Sequence, residues 1–264
     1  MYVQITQFFI RCKATPAATC ILAYSMVYLP LMKCVKQVIF ILPFAALIVA
    51  ILMPFMGKTP VKAPAKFLLA SREMSLEKRY SNEYVNDVFK DNILLTIAYM
   101  ARQARPDAIE WEKVTKPFHY EVTLKRGEVF AFHDDVLPEY RGKVVKTTDA
   151  HFNSAEGFKS DGYLIGDGVC HLASLLNWVA RASRLQVAAP TNHNFAAIPE
   201  IPKVFGTAIY SNPQEKGANA LQNLYITNTE PNPIVFEYDY HGGILKVSVY
   251  EYVQSPILSA NVIY

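Results

Sequence analysis

The sequence predicts an α+β fold: a central helix carrying a cysteine at its N-terminus, packed on antiparallel β-strands and preceded by a transmembrane helix. Three observations lead there. Residues 38–56, "VIFILPFAALIVAILMPFM", contain no charged side chain. Residues 166–180, "GDGVCHLASLLNWVA", place leucines and valines at helical spacing behind two glycines. The stretches on either side of that helix alternate apolar and polar residues, as strands with one buried face do.

The N-terminal run has the length needed to cross a hydrocarbon core of about 30 Å. Lys33 and Lys36 precede it, and Lys58, Lys62 and Lys66 follow. A cleaved leader has a shorter apolar core and a small-x-small site, and neither is found, so the run reads as an uncleaved anchor. The expectation is a single crossing with the remainder outside the cytoplasm. A second apolar run, residues 15–32, is interrupted by Pro16 and Pro30; translation from Met32 would leave "MKCVKQ" as a short basic leader. Residues 1–57 are thus the membrane region, and 58–66, with "KTPVKAPAK", form a stalk.

Beyond the stalk, the chain of 264 residues leaves ample length for a core. Its apolar fraction is 52% and its net charge +3, values of an ordinary folding chain. Lys and Arg are scattered and matched by acids, which argues against a nucleic-acid partner. Residues 67–149 read as an α+β region without an assignable role. Ser81 caps a helix in which Val85, Val88, Phe89, Ile93, Ile97 and Met100 recur at three- and four-residue steps. "HYEVTLKRGEVFAFH" then reads as a β-hairpin around Lys125-Arg126-Gly127. Near the C-terminus, residues 221–228, 234–240 and 244–250 read as an antiparallel meander, turning at "EPNP" and at His241-Gly242-Gly243.

The chemistry centres on one thiol. Cys12, Cys20 and Cys34 lie in the apolar first forty residues, so Cys170 has no disulfide partner in the rest of the chain. It falls in the first turn of its helix, where free N–H groups and the positive dipole end favour thiolate and hold a developing oxyanion. Gly166 and Gly168 permit the left-handed backbone that a sharp entry needs. Asp167 works against ionisation, or caps the helix. A buried cysteine acting as a small apolar side chain is the competing reading. A nucleophile needs a base. His171 is adjacent, but neighbours on a helix point about 100° apart, and with Ser174, Asn177 and Arg181 it makes a polar face. His193, in the loop "PTNHNF", is the candidate base, with Asn192, Asn194 or a backbone carbonyl to orient it. No paired cysteine–histidine spacing marks a metal site, and no cofactor-binding loop, Ser-His-Asp set or HExxH is present.

"GDGVCHLASLL", "NHNFAAIPEIPKVFGTAIY" and "NLYITNTEPNPIVFEYDYHGGILKVSVY" resemble, in order, three segments of the VanW family. That family's signature reads approximately G-G-G-I-C-Q-V-S-T-T-L, a helix, a histidine-serine pair, and later D-L-x-F-x-N-N-T-x-x-P-I. The resemblance spans about residues 150 to 252 and marks 150–264 as a VanW-like domain, with Cys170 and His193 on the family's cysteine and histidine. Asp167 stands on a glycine of the pattern, His171 on its glutamine and Asn194 on its serine, while Pro190 and Thr191 occupy the places of an arginine and a histidine. The resemblance implies peptidoglycan as partner. Cys170 would attack a stem peptide as L,D-transpeptidases do, with His193 moving the proton. It leaves open a non-catalytic wall-binding module linked to glycopeptide resistance, or a cysteine peptidase.

Overall fold

The computed structural model describes residues 65–162 and 166–253. Among these residues no helix is long and apolar enough to cross a membrane. The apolar run 38–56 lies outside them, as does most of the stalk, whose last two residues, Ala65 and Lys66, open the first strand.

Two four-stranded sheets and four α-helices make up the described part, an α+β arrangement. The first sheet is wholly antiparallel, in the order β1 (Ala65–Ser75), β8 (Ile244–Val253), β7 (Ile234–His241), β2 (Phe118–Leu124). The second runs β4 (Val144–Lys146), β3 (Val129–Ala131), β6 (Tyr225–Thr227), β5 (Gln186–Ala188), with only the β3–β4 pair parallel. Strands from residues 67–149 and from 150–264 therefore share both sheets.

Helix α1 (Glu83–Met100) carries the predicted stripe, and Val88, Ile93, Ile97 and Met100 are buried. Its cap is Asn82 rather than Ser81: the Asn82 side chain accepts from the Tyr84 N–H at 3.0 Å. Asn offers an amide oxygen in the ordinary capping position, one residue nearer the helix. Helix α2 (Trp111–Val114) is a single turn. Helix α3 (Val169–Ala182) is the expected central helix, with Cys170 in its first turn, and α4 (Lys216–Leu221) is short. Leu172, Leu175, Leu176 and Val179 of α3 are sealed from solvent against β1, β8, α1 and β5. Each contributes on the order of 1.5–3 kcal/mol through burial.

Two strand assignments are corrected. The turn at Lys125–Gly127 forms, with the Glu128 N–H on the Lys125 carbonyl at 3.0 Å and Gly127 at φ 80°, but its arms separate. β2 pairs with β7 and β3 with β4 and β6, so this is a crossing between sheets rather than a hairpin. The meander likewise holds only for β7–β8, because β6 pairs in the other sheet. Both crossings meet at Asn228. Its buried side chain donates to the carbonyls of Leu124 at 2.9 Å and Asn232 at 3.0 Å, and accepts from the Glu230 N–H at 2.9 Å.

Candidate functional site

A cavity of about 420 Å³ opens over the start of α3. Its walls come from four places: Tyr80 and Phe89 at and before α1, Phe152 and Asn153, Gly166 to His171 at the head of α3, and the loops that bring His193, Phe195 and Ile209.

The entry to α3 depends on its glycines. Gly168, the residue before the helix, has φ 98°, and a Cβ there would stand 2.7 Å from the Phe89 carbonyl oxygen. Only glycine lets the two helices approach so closely at this backbone angle. Asn92, buried in mid-α1, fixes the preceding loop: its amide donates to the carbonyls of Lys159 at 3.0 Å and Asp167 at 2.8 Å, and its oxygen accepts from the Lys159 N–H at 2.9 Å. Asn86 does the same for the turn before α1, binding the main chain of Arg79 and Tyr80 and so setting Tyr80 over the cavity. Neither asparagine is recognisable as a site residue from sequence; Asn92 stands at the polar start of "NILLTIAYM", after Lys90 and Asp91.

The polar side of α3 does not face water. Ser174 and Asn177 are buried, and only Arg181 remains exposed. Ser174 Oγ donates to the Cys170 carbonyl at 2.6 Å and accepts from the Thr207 N–H at 2.9 Å. Asn177 donates to the Phe205 carbonyl at 3.0 Å and to Thr207 Oγ1 at 3.1 Å. These bonds draw residues 205–209 along the helix and set the Ile209 main chain against the thiol. Cys170 Sγ accepts from the Ile209 N–H at 3.4 Å and points back at its carbonyl oxygen at 3.7 Å.

That environment reverses the expected effect on the thiol. Part of the residue is exposed, but burial of the sulfur pushes its pKa up to about 11; the Ile209 contact works the other way, and the Asp167 charge adds to the rise. Desolvation outweighs the helix dipole here. The donors of the first turn are also largely engaged, with the Val169 N–H on the Gly166 carbonyl at 3.1 Å and the His171 N–H on the Gly168 carbonyl at 2.9 Å. Burial raises the Asp167 carboxyl to about 6, beside Asp161, whose N–H it accepts at 3.0 Å.

His193 lines the same cavity as Cys170. Its loop rests on Gly206, where a Cβ would lie 3.1 Å from the His193 carbonyl oxygen. Its Nδ1 is 3.2 Å from the Ala196 carbonyl oxygen; since a carbonyl only accepts, Nδ1 carries the proton and Nε2 is the acceptor. Burial holds this histidine below its ordinary pKa. A backbone carbonyl thus orients the ring, while Asn194 contributes only a main-chain bond to the Asn192 carbonyl, and Asn192 Oδ1 is buried without a partner. His171, expected on a polar face, is 4% exposed. It packs 4.9 Å from the Phe89 ring and 6.2 Å from the His193 ring. Burial, together with the Arg79 charge, lowers it well below the usual histidine value, and its Nδ1 has no hydrogen-bond partner.

Among the described residues, two clusters of possible metal ligands lie away from this cavity. Of these, His119–Glu121–Glu237 already holds the Lys66 ammonium on both carboxylates. In His133–Asp134–Asp135, both nitrogens of the His133 ring are engaged, by the Gln222 carbonyl and the Asn223 amide.

The family model described as VanW like protein matches residues 119–250, half of the chain. This chain belongs to the VanW family. Membership ties it to the cell wall and to vancomycin resistance. No curated protein and no solved structure matches it. The VanW match starts at β2, ahead of the three motifs, and includes Cys170 and His193. Tyr80, Phe89 and Asn92 precede it, so part of the cavity wall is built from outside the VanW span.

Proposed function

We propose that this chain is a membrane-anchored, extracytoplasmic protein that modifies peptidoglycan, with Cys170 as nucleophile in an acyl transfer of the L,D-transpeptidase type. The observation that carries the reading is the meeting of Cys170 with His193 on one cavity, the imidazole held as the Nε2 acceptor. Residues 38–56 would supply the anchor.

Because burial keeps the thiol protonated at neutral pH, the proton must leave as the carbonyl is attacked rather than beforehand. Sγ would bond to the carbonyl carbon of the third stem residue, and the C–N bond to the terminal residue would break. The thiol proton, taken up by His193 Nε2, would pass to the departing amine. An amine of a second stem would then attack the thioester, restoring the thiol. The contacts of Sγ in this state run to Ile209, so substrate entry would have to bring sulfur and imidazole into line.

Incubation of the full chain with a stem tetrapeptide, read by intact mass, tests this. The expected result is an adduct on the wild type that is missing from Cys170→Ala; a wild type that acquires no adduct overturns it. A non-catalytic wall-binding module is the second reading, favoured by the raised thiol pKa and its main-chain contacts. It requires that the chain co-sediment with sacculi and that Cys170→Ala bind equally well. Products that gain water instead of a second stem would indicate a peptidase.

A further inference from the structure

The inference rests on the acyl-transfer reading and concerns which stem the cavity accepts. Among the described residues that line it there is no Lys or Arg. Its carboxyl, Asp167, is negative at neutral pH, and both imidazoles are uncharged there. Arg79, whose charge His171 feels, spends its terminal nitrogens on the carbonyls of Ser75 at 2.8 Å and Pro199 at 3.1 Å. The first turn of α3, elsewhere a ready seat for anions, has its Val169 and His171 N–H groups engaged within the turn. A carboxylate entering this space would meet Asp167 and find no cation among the described lining residues; Arg79 keeps its charge, since neutral carbonyls do not offset it, but does not line the cavity.

The hydrogen-bonding needs of the walls point the same way. His193 Nε2 needs a donor, which the NH2 of a carboxamide supplies and a carboxylate, which only accepts, does not. The unpartnered Nδ1 of His171 is sealed from solvent and is not offered to the open space.

We propose that the cavity takes the uncharged, amidated form of a stem peptide and rejects the form with a free carboxylate on the residue lost in acylation. The balance of the step is unchanged: the thioester forms, the C–N bond breaks, and the leaving group is an amino-acid amide, which keeps the thiol proton on its amine.

Two stem tetrapeptides of one sequence, ending in a carboxamide and in a carboxylate, separate the possibilities when given to the full chain at pH 7. The acyl-enzyme on Cys170 is expected to form at least ~10-fold faster with the carboxamide, a modest fraction of the penalty for an unpaired buried charge. Equal rates, or faster acylation by the carboxylate, overturn the proposal. Calorimetric binding of both peptides to Cys170→Ala distinguishes its failure from failure of the acyl-transfer reading. If neither peptide acylates the wild type, that reading falls, and tighter binding of the carboxamide still supports the selectivity. Equal binding, a preference for the carboxylate, or no binding of either peptide overturns it.

Discussion

At the scale of single residues, position and environment pull Cys170 in opposite directions. Its place in the first turn of α3, and the left-handed glycines before it, follow from "GDGVC" read alone. The direction of its pKa does not, because the Ile209 main chain that covers the sulfur lies 39 residues further on. Helix position is a local property, whereas desolvation depends on what the rest of the chain lays on top. The consequence is measurable. Alkylation of Cys170 by iodoacetamide, followed by site-resolved mass spectrometry, should climb by about tenfold per pH unit from pH 8 to 10 without levelling. Glutathione in the same tube should level near its own, lower pKa. A plateau at Cys170 below pH 8 would contradict the buried thiol.

At the scale of elements, alternation told which residues face inward but not which strand lies beside which. β2 and β3 have the pattern of a hairpin and a genuine turn between them, yet each finds its partners far along the chain. Pairing is decided by long-range packing, to which a period of two is blind. α3 follows the same logic: Ser174 and Asn177 look like a solvent face until residues 205–209 are laid against them. Asn228 shows what a polar residue at a corner does. It ties the end of β2 to the 228–232 turn through one buried amide. Asn228→Ala removes two donated bonds and one accepted bond, leaving the Leu124 carbonyl without this donor. Urea unfolding should record a loss of about 2–4 kcal/mol. A loss under 0.5 kcal/mol would mean that the two sheets are held at this corner by something else.

At the scale of the whole molecule, buried ionisable groups set how stability responds to acid. His133, His171 and His193 all lie below the ordinary histidine value, chiefly through burial. A group lowered on folding contributes stability that is full above its unfolded pKa, near 6.5, and is lost as pH falls toward the folded one. Asp167, raised to about 6 from 3.8, acts oppositely, favouring the folded state below that window and losing the benefit as pH rises through it. His119, hydrogen-bonded to Asp239, and His151, hydrogen-bonded to Glu156, are raised and also favour the folded state as pH falls, so the wild-type slope is the net of opposing groups. His171→Phe, which keeps an aromatic ring against Phe89, removes one lowered group and should raise the urea midpoint at pH 5 relative to that at pH 7. An unchanged difference between the two midpoints would show that His171 does not contribute to it.

The sequence left residues 67–149 without a role, and the structure supplies one. β1, α1 and β2 complete the first sheet and provide a wall of the cavity, contacts that no local pattern announces. The pairing of β1 with β8 carries a practical lesson for anyone isolating the matched span. Trimmed to residues 119–250, the polypeptide would keep most of β8 but lose its ladder partner from Ala65 to Ser75. A long edge with unanswered amides and carbonyls recruits neighbours. Such a fragment should leave size-exclusion columns in the void volume or precipitate, while one that begins at residue 65 should elute as a discrete species.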